Sequence, residues 1–173
     1  MHKVYLSMGS NSGRRKALLQ KGIQLLELNA GISTKVSSIY KTAPWGFTHS
    51  CYFYNITLEM NTPWKPLELL KKINQIELLC GRVRDGNQYV SRTLDIDILF
   101  YDKLVLNCRE LTIPHPLLHL RRFVLVPLSE IASSHLHPVL NASISQLLVE
   151  CKDKSSVVKL STNYSKFSSA KLK

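Results

Sequence analysis

A chain of 173 residues with 45% hydrophobic and 20% charged residues has the make-up of a soluble globular protein with one sizeable core. No apolar run approaches the length of a membrane span, and Met1-His2-Lys3-Val4-Tyr5-Leu6 enters an alternating pattern without the apolar stretch of a secretory signal. The net charge is +11, of which residues 152–173 supply +5, so the body of the chain is itself basic and phosphate-bearing partners, nucleic acid or nucleotide, are expected. Cys51, Cys80, Cys108 and Cys151 are far apart and form no CxxC pair, which argues against a zinc site or disulfide framework and fits a reducing, cytoplasmic compartment.

In chain order, residues 3–8 set Val4, Leu6 and Met8 against Lys3, Tyr5 and Ser7, the period of a strand. Gly9-Ser10-Asn11-Ser12-Gly13 interrupts it, and its Ser and Asn side chains offer caps for the next element. Leu18, Gly22, Leu25 and Leu26 predict a helix over 14–29 that Gly31 ends. Residues 34–41, rich in β-branched side chains, predict a second strand, followed by a loop with Pro44, Gly46 and His49. Residues 52–60 read as a third strand, with Tyr52, Tyr54, Ile56, Leu58 and Met60 on one face and Phe53, Asn55, Thr57 and Glu59 on the other. Pro66 opens a second helix through Leu70, Ile73, Glu77 and Cys80, with Gly81 as its stop. Residues 85–91 read as a loop and 94–101 as a fourth strand.

That order places the chain in the α+β class, an α/β sandwich on a ferredoxin-like βαββαβ core with an antiparallel sheet, helices on one face and C-terminal helical additions within 120–131 and 143–150. Residues 1–151 are expected to form the folded domain, and residues 152–173 a basic Ser/Lys-rich tail or linker.

The strongest chemical feature is Arg92-Thr93-Leu94-Asp95-Ile96-Asp97-Ile98. In a strand, Asp95 and Asp97 share one face while Leu94, Ile96, Ile98 and Phe100 take the face toward the helices. Two adjacent carboxylates hold Mg²⁺, or else stand as solvated acids on an open face. Arg82 and Arg84 on one side of the loop and Arg92 on the other give the charge pattern of metal plus polyphosphate, with a structural Arg–Asp network as the alternative. Pro114-His115-Pro116 and Arg121-Arg122-Phe123 offer further phosphate contacts. Thr42, Pro44, Trp45, Phe53, Asn55 and Phe123 offer a ring-and-amide set for a flat heterocycle, or ordinary packing. There is no GxxxxGK[ST] and no GxGxxG, so an ATP site must be built by other means.

Together, Gly9-Ser10-Asn11, Tyr40-Lys41-Thr42-Ala43-Pro44, Tyr54-Asn55, Ile76-Glu77, Gly81-Arg82-Val83-Arg84, the Arg92 to Ile98 run, Ile113-Pro114-His115-Pro116 and Arg121-Arg122-Phe123 resemble the 6-hydroxymethyl-7,8-dihydropterin pyrophosphokinases over residues 3–150. The resemblance implies transfer of diphosphate from ATP to 6-hydroxymethyl-7,8-dihydropterin, with release of AMP, in folate biosynthesis. It implies two Mg²⁺ on Asp95 and Asp97, with Arg82 and Arg92 also catalytic. Glu77, Arg84, Tyr89, Arg92, Ile98, His115 and Arg121 would meet the nucleotide. Thr42, Pro44, Trp45, Phe53, Asn55 and Phe123 would meet the pterin. A cytoplasmic monomer is expected, with no nucleic-acid or membrane partner, and with dihydropteroate synthase fused to it or following in the pathway. A ferredoxin-like RNA-binding module is the rival reading, but its aromatic strand pattern is missing and paired acids would repel phosphate in the absence of cations.

Overall fold

The computed structural model describes residues 1–46, 51–82 and 93–160. Its elements in chain order are β1 (His2–Ser10), α1 (Arg15–Asn29), β2 (Ile32–Val36), β3 (Ile39–Thr42), β4 (Phe53–Thr62), α2 (Pro66–Leu79), β5 (Asp95–Tyr101), β6 (Leu106–Asn107), β7 (Thr112–Ile113), α3 (Arg122–Ala132), α4 (Ile144–Glu150) and β8 (Val157–Leu160). β1 lies between β4 and β5 and runs antiparallel to both. The sheet order is β5-β1-β4-β3-β8, with β2 on the other end of β4. This is the expected βαββαβ core, with α3 and α4 as the C-terminal additions.

Each face of the sheet has its own core. On one face Val4, Leu6, Met8, Ile56, Leu58, Met60, Ile96 and Ile98 pack with Leu19, Ile23 and Leu26 of α1 and Leu69, Ile73 and Ile76 of α2. On the other face Tyr5, Leu99 and Phe100 pack with Val124, Leu125 and Leu128 of α3 and Ile144 and Leu147 of α4. Helices therefore cover part of both faces, not one. Phe100 is on the opposite face from the one its spacing predicts. The β1–β5 register shifts between Tyr5 and Leu6, so that Tyr5 pairs with Phe100 and Leu6 with Ile98, and one extra β5 residue is taken up. A bulge of this kind inverts the alternation beyond it.

Three further boundaries differ from the sequence reading. The strand expected over 34–41 is two strands, because the Ser37 N–H donates to the Thr57 carbonyl (2.9 Å) while its Oγ accepts from the Thr57 N–H (2.9 Å). The Ser37 Oγ also donates to the Ser38 carbonyl (2.9 Å), and local bonds of this kind compete with a regular ladder. Neither Ser12 nor Asn11 caps α1; Arg14 stands at the N-cap and makes no side-chain capping bond. Regular structure continues past residue 151, since β8 pairs antiparallel with β3 and Lys159 Nζ reaches Glu130 Oε1 at 3.0 Å. Val157 and Val158 are diluted by flanking Lys and Ser, so composition averaged over the segment hides a four-residue strand.

Among the described residues, close approach to β4 excludes a side chain at two glycines. At Gly31, just past the C-cap of α1, a Cβ would come within 2.2 Å of the Asn61 carbonyl oxygen, so the turn from helix to β2 lies directly on β4. The second, Gly9, belongs to the site.

The second core contains histidines. The His135 ring is tilted against Tyr5 at 4.9 Å and meets Phe100 edge-on at 4.6 Å, and His137 meets Phe100 edge-on at 5.4 Å. Burial pushes both imidazoles down; Lys3 adds to the effect at His135, and His119 and His135 add to it at His137. His115 is pushed down to about 4, first by burial and then by Arg121. In the unfolded chain these groups titrate near about 6.5. Below that pH the unfolded state binds more protons than the folded one, so stability falls as pH falls. Glu59, Glu130 and Asp153, held down by their hydrogen bonds against the opposing effect of burial, add their loss at lower pH. Urea midpoints are therefore expected to be flat above about pH 7 and to drop by about pH 5, before the carboxylates titrate. Equal midpoints at those two values would contradict the buried-histidine assignment.

Candidate active site

The antiparallel register lays the candidate residues in rows on the face opposite α1 and α2. Asp95 is opposite Gly9, Gly9 is opposite Asn55, and Asn55 is opposite Tyr40. The next row is Asp97, Ser7 and Thr57. α3 and α4 cover the far part of this face, and the rows lie beyond the Tyr5 and Phe100 core. Asp95 and Asp97 share a face, as period-two spacing requires.

Gly9 is the residue that sequence reasoning missed. It stands within β1, not in a turn, and a Cβ there would lie 2.8 Å from Asn55 Oδ1 and 3.8 Å from the Phe53 ring. The missing side chain lets the Asn55 amide lie over β1, with Nδ2 donating to Thr42 Oγ1 at 2.8 Å. Both Asn55 and Thr42 are buried. A glycine inside an otherwise alternating strand is the signal for such an approach.

Beside this row is an ion-pair network. Arg82 Nη1 pairs with Asp95 Oδ1 at 2.6 Å and with Glu77 Oε1. Glu77 is 2% exposed, and its Oε1 also accepts from the Ile96 N–H at 2.8 Å, tying the C-terminal end of α2 to the outer edge of β5. Burial works against the Arg82 charge, but Asp95 and Glu77 outweigh it and hold the guanidinium more firmly protonated. The structural network left open by the sequence is thus formed by Arg82, and it fixes one oxygen of Asp95. Ile98 puts its side chain into the α1/α2 core. Any nucleotide contact from it is therefore a main-chain one, along the same strand edge to which the Ile96 N–H points.

The rim toward α3 brings Trp45, Arg121 and Phe123 together. The Arg121 guanidinium lies 4.9 Å from the Trp45 ring centre and 5.8 Å from that of Phe123, and the two rings are 6.4 Å apart. His115 accepts the Leu117 N–H at Nδ1 (3.2 Å), which leaves its proton on Nε2. Burial and Arg121 keep it neutral, and Asp95 opposes them. Pro44 lies between Thr42 and Trp45 in the segment after β3, and Phe53 begins β4 beside Asn55. Arg84, Tyr89 and Arg92, and the loop expected over 85–91, lie outside the described residues.

The donor set suits Mg²⁺. Asp95 is partly open, with 16% of its side chain exposed, and Asp97 is its neighbour on the same face. Among the described residues no group of three or more His, Cys, Asp or Glu forms a protein-only cage. Mg²⁺ bound through one or two carboxylates takes the rest of its octahedron from phosphate and water.

A model of the family described as 7,8-dihydro-6-hydroxymethylpterin-pyrophosphokinase (HPPK) matches residues 5–133. The chain is 40% identical over 129 residues to the 2-amino-4-hydroxy-6-hydroxymethyldihydropteridine pyrophosphokinase of Bacillus subtilis, covering 74% of this chain and 77% of the relative. It is 37% identical over 150 residues to the protein of that name from Aquifex aeolicus, covering 87% and 92%. A crystal structure of Plasmodium falciparum HPPK-DHPS matches with a TM-score of 0.71 at 18% identity, over 86% of this chain and 44% of that one, which shows a shared fold. With matching sequence and fold extending over most of its length, the chain belongs to the 7,8-dihydro-6-hydroxymethylpterin-pyrophosphokinase family.

Proposed function

We propose that the rows formed by Asp95, Gly9 and Asn55 and by Asp97, Ser7 and Thr57 are the floor of the active site. As a member of its family the chain is a pyrophosphokinase of folate biosynthesis with ATP as co-substrate. The pterin hydroxymethyl oxygen attacks the β-phosphorus of ATP. The bond from that phosphorus to the bridging oxygen on the α-phosphorus breaks, AMP leaves with that oxygen, and the hydroxyl proton is lost. The observation that carries this reading is the alignment of two adjacent carboxylates with a buried amide across one glycine.

Asn55 and Thr42 read the edge of the pterin, with main-chain groups near Pro44 and Trp45, while Phe53 and Phe123 cover its faces. Two Mg²⁺ held by Asp95 and Asp97 would neutralise phosphate charge and lower the pKa of the attacking hydroxyl. Arg82 and Glu77 orient Asp95 and the β5 edge, where main-chain groups of Ile98 meet the nucleotide. Arg121 supplies charge and His115 an Nε2–H to the phosphates, joined by Arg84, Tyr89 and Arg92. Catalysis then consists of alignment and charge neutralisation. We take the enzyme to act as a monomer in the cytoplasm, upstream of or fused to dihydropteroate synthase.

The direct assay supplies ATP, Mg²⁺ and 6-hydroxymethyl-7,8-dihydropterin and separates the nucleotides. Pterin-dependent AMP without ADP is expected; ADP would mean γ-phosphoryl transfer and a wrong mechanism. Asp97→Ala should keep its thermal midpoint and lose at least about 10²-fold in kcat, the scale of removing one preorganised charge-stabilising group. Near-normal turnover in that variant would remove Asp97 from the metal site. Gly9→Ala should displace the Asn55 amide and raise the pterin KM about tenfold while the ATP KM stays within about twofold, the cost of misplacing a buried hydrogen-bonding group. An unchanged pterin KM would show that the gap over Gly9 is not used.

A further inference from the structure

Arg15 makes contacts that the reaction scheme does not use. As the first residue of α1, it donates from Nη1 to the Tyr52 carbonyl at 2.7 Å, and its guanidinium carbon lies 4.3 Å over the Tyr54 ring centre. Tyr52 and Tyr54 flank Phe53, and alternation turns Tyr54 to the α1 side of the sheet while Phe53 and Asn55 face the other way. Arg15 thus holds the start of β4 from behind, one residue on either side of the ring assigned to the pterin. Lys41 adds a second hold, its Nζ lying 4.1 Å from the Tyr52 ring centre.

The placement runs against local preference. Arg14, Arg15 and Lys16 occupy the start of α1, whose first turn has no acidic residue and whose N-cap makes no side-chain bond. Cations there oppose the helix dipole and weaken the helix. A local rule broken beside a site, with a compensating contact to that site's scaffold, marks a functional constraint.

We infer that Arg15 is a positioning residue: by clamping the Tyr52 carbonyl and the Tyr54 ring from the helical face, it sets the placement of Phe53 and Asn55 and hence the affinity for the pterin. This rests on the assignment of those two side chains to the pterin. Arg15 holds β4 from the face opposite Phe53 and Asn55, so its loss acts through the strand.

Steady-state kinetics with each substrate varied in turn tests the clamp, using Arg15→Ala, Arg15→Lys and Tyr54→Leu, with Phe53→Ala as the reference for the pterin assignment. Arg15→Ala should raise the pterin KM about tenfold and leave kcat and the ATP KM within about twofold, the scale of a charge-assisted hydrogen bond plus a half-exposed cation–π contact. Arg15→Lys keeps a cation over the ring and should hold the rise to about threefold, and Tyr54→Leu should show a smaller rise of the same selectivity. An unchanged pterin KM in Arg15→Ala, or a loss shared equally by kcat and both KM values, overturns the clamp. If Phe53→Ala raises the pterin KM while Arg15→Ala and Tyr54→Leu do not, only the clamp falls. If Phe53→Ala also leaves it unchanged, the pterin assignment falls and the clamp with it. Should Arg15→Ala not fold, Tyr54→Leu decides: a pterin-selective rise supports the clamp, and an unchanged KM overturns it.

Discussion

The antiparallel pairing of β1 with β4 on one side and β5 on the other is the constraint on which the site depends. It sets Asp95, Gly9 and Asn55 in a single row, although they come from strands far apart in the chain. A slip of one residue in either pairing would send one set of polar side chains into the α1/α2 core and bring Ile96 or Ile56 to the site. That core is fully apolar on its own face, from Val4, Leu6 and Met8 to Ile56 and Leu58, so such a slip would carry a large hydrophobic penalty. The same burial that stabilises the fold thereby sets the spacing between the acids and the amide.

Electrostatics then fixes Asp95 within the row. Asp95 is tied through Arg82 to Glu77, and Glu77 holds the Ile96 N–H at the sheet edge. A buried carboxylate and a largely buried guanidinium are costly to desolvate unless paired, and here each satisfies the other while orienting the strand that carries both acids. Burial and the neighbouring Arg121 keep His115 neutral, so on the proposed reading it would offer a phosphate a directed N–H while Arg121 supplies the charge. A site of this kind needs no separate acid or base of perturbed pKa, in keeping with a reaction that depends on alignment.

Much of this was legible in the sequence because it follows from period and punctuation. Asp95 and Asp97 share a face for the same reason that Ile96 and Ile98 face the helices, and Pro66 and Gly81 bound α2 as their backbone preferences dictate. The misreadings have local causes. Phe100 changes faces at a bulge that only the partner strand reveals. β8 is too short to stand out from its basic surroundings, and Ser37 breaks a β-branched run through a bond to Thr57, a residue twenty positions away. By its sequence Gly9 reads as part of a turn, because Gly13 and two serines follow it; the close approach that needs a glycine there is to Asn55 Oδ1 on the opposite strand, which no local pattern contains. For Arg82 the sequence leaves phosphate contact and an Arg–Asp network both open, and its pairing with Glu77 depends on how α2 ends against β5.

The measurement closest to the central claim is a crystal structure with Mn²⁺ in place of Mg²⁺ and a nonhydrolysable ATP analogue, with the metals located by anomalous scattering. Metal peaks bonded to the Asp95 and Asp97 carboxylates, with the analogue's phosphates completing their coordination, are the expected result. Metal bound by the phosphates alone, with neither carboxylate coordinated, would contradict the assignment of this sheet face as the catalytic floor.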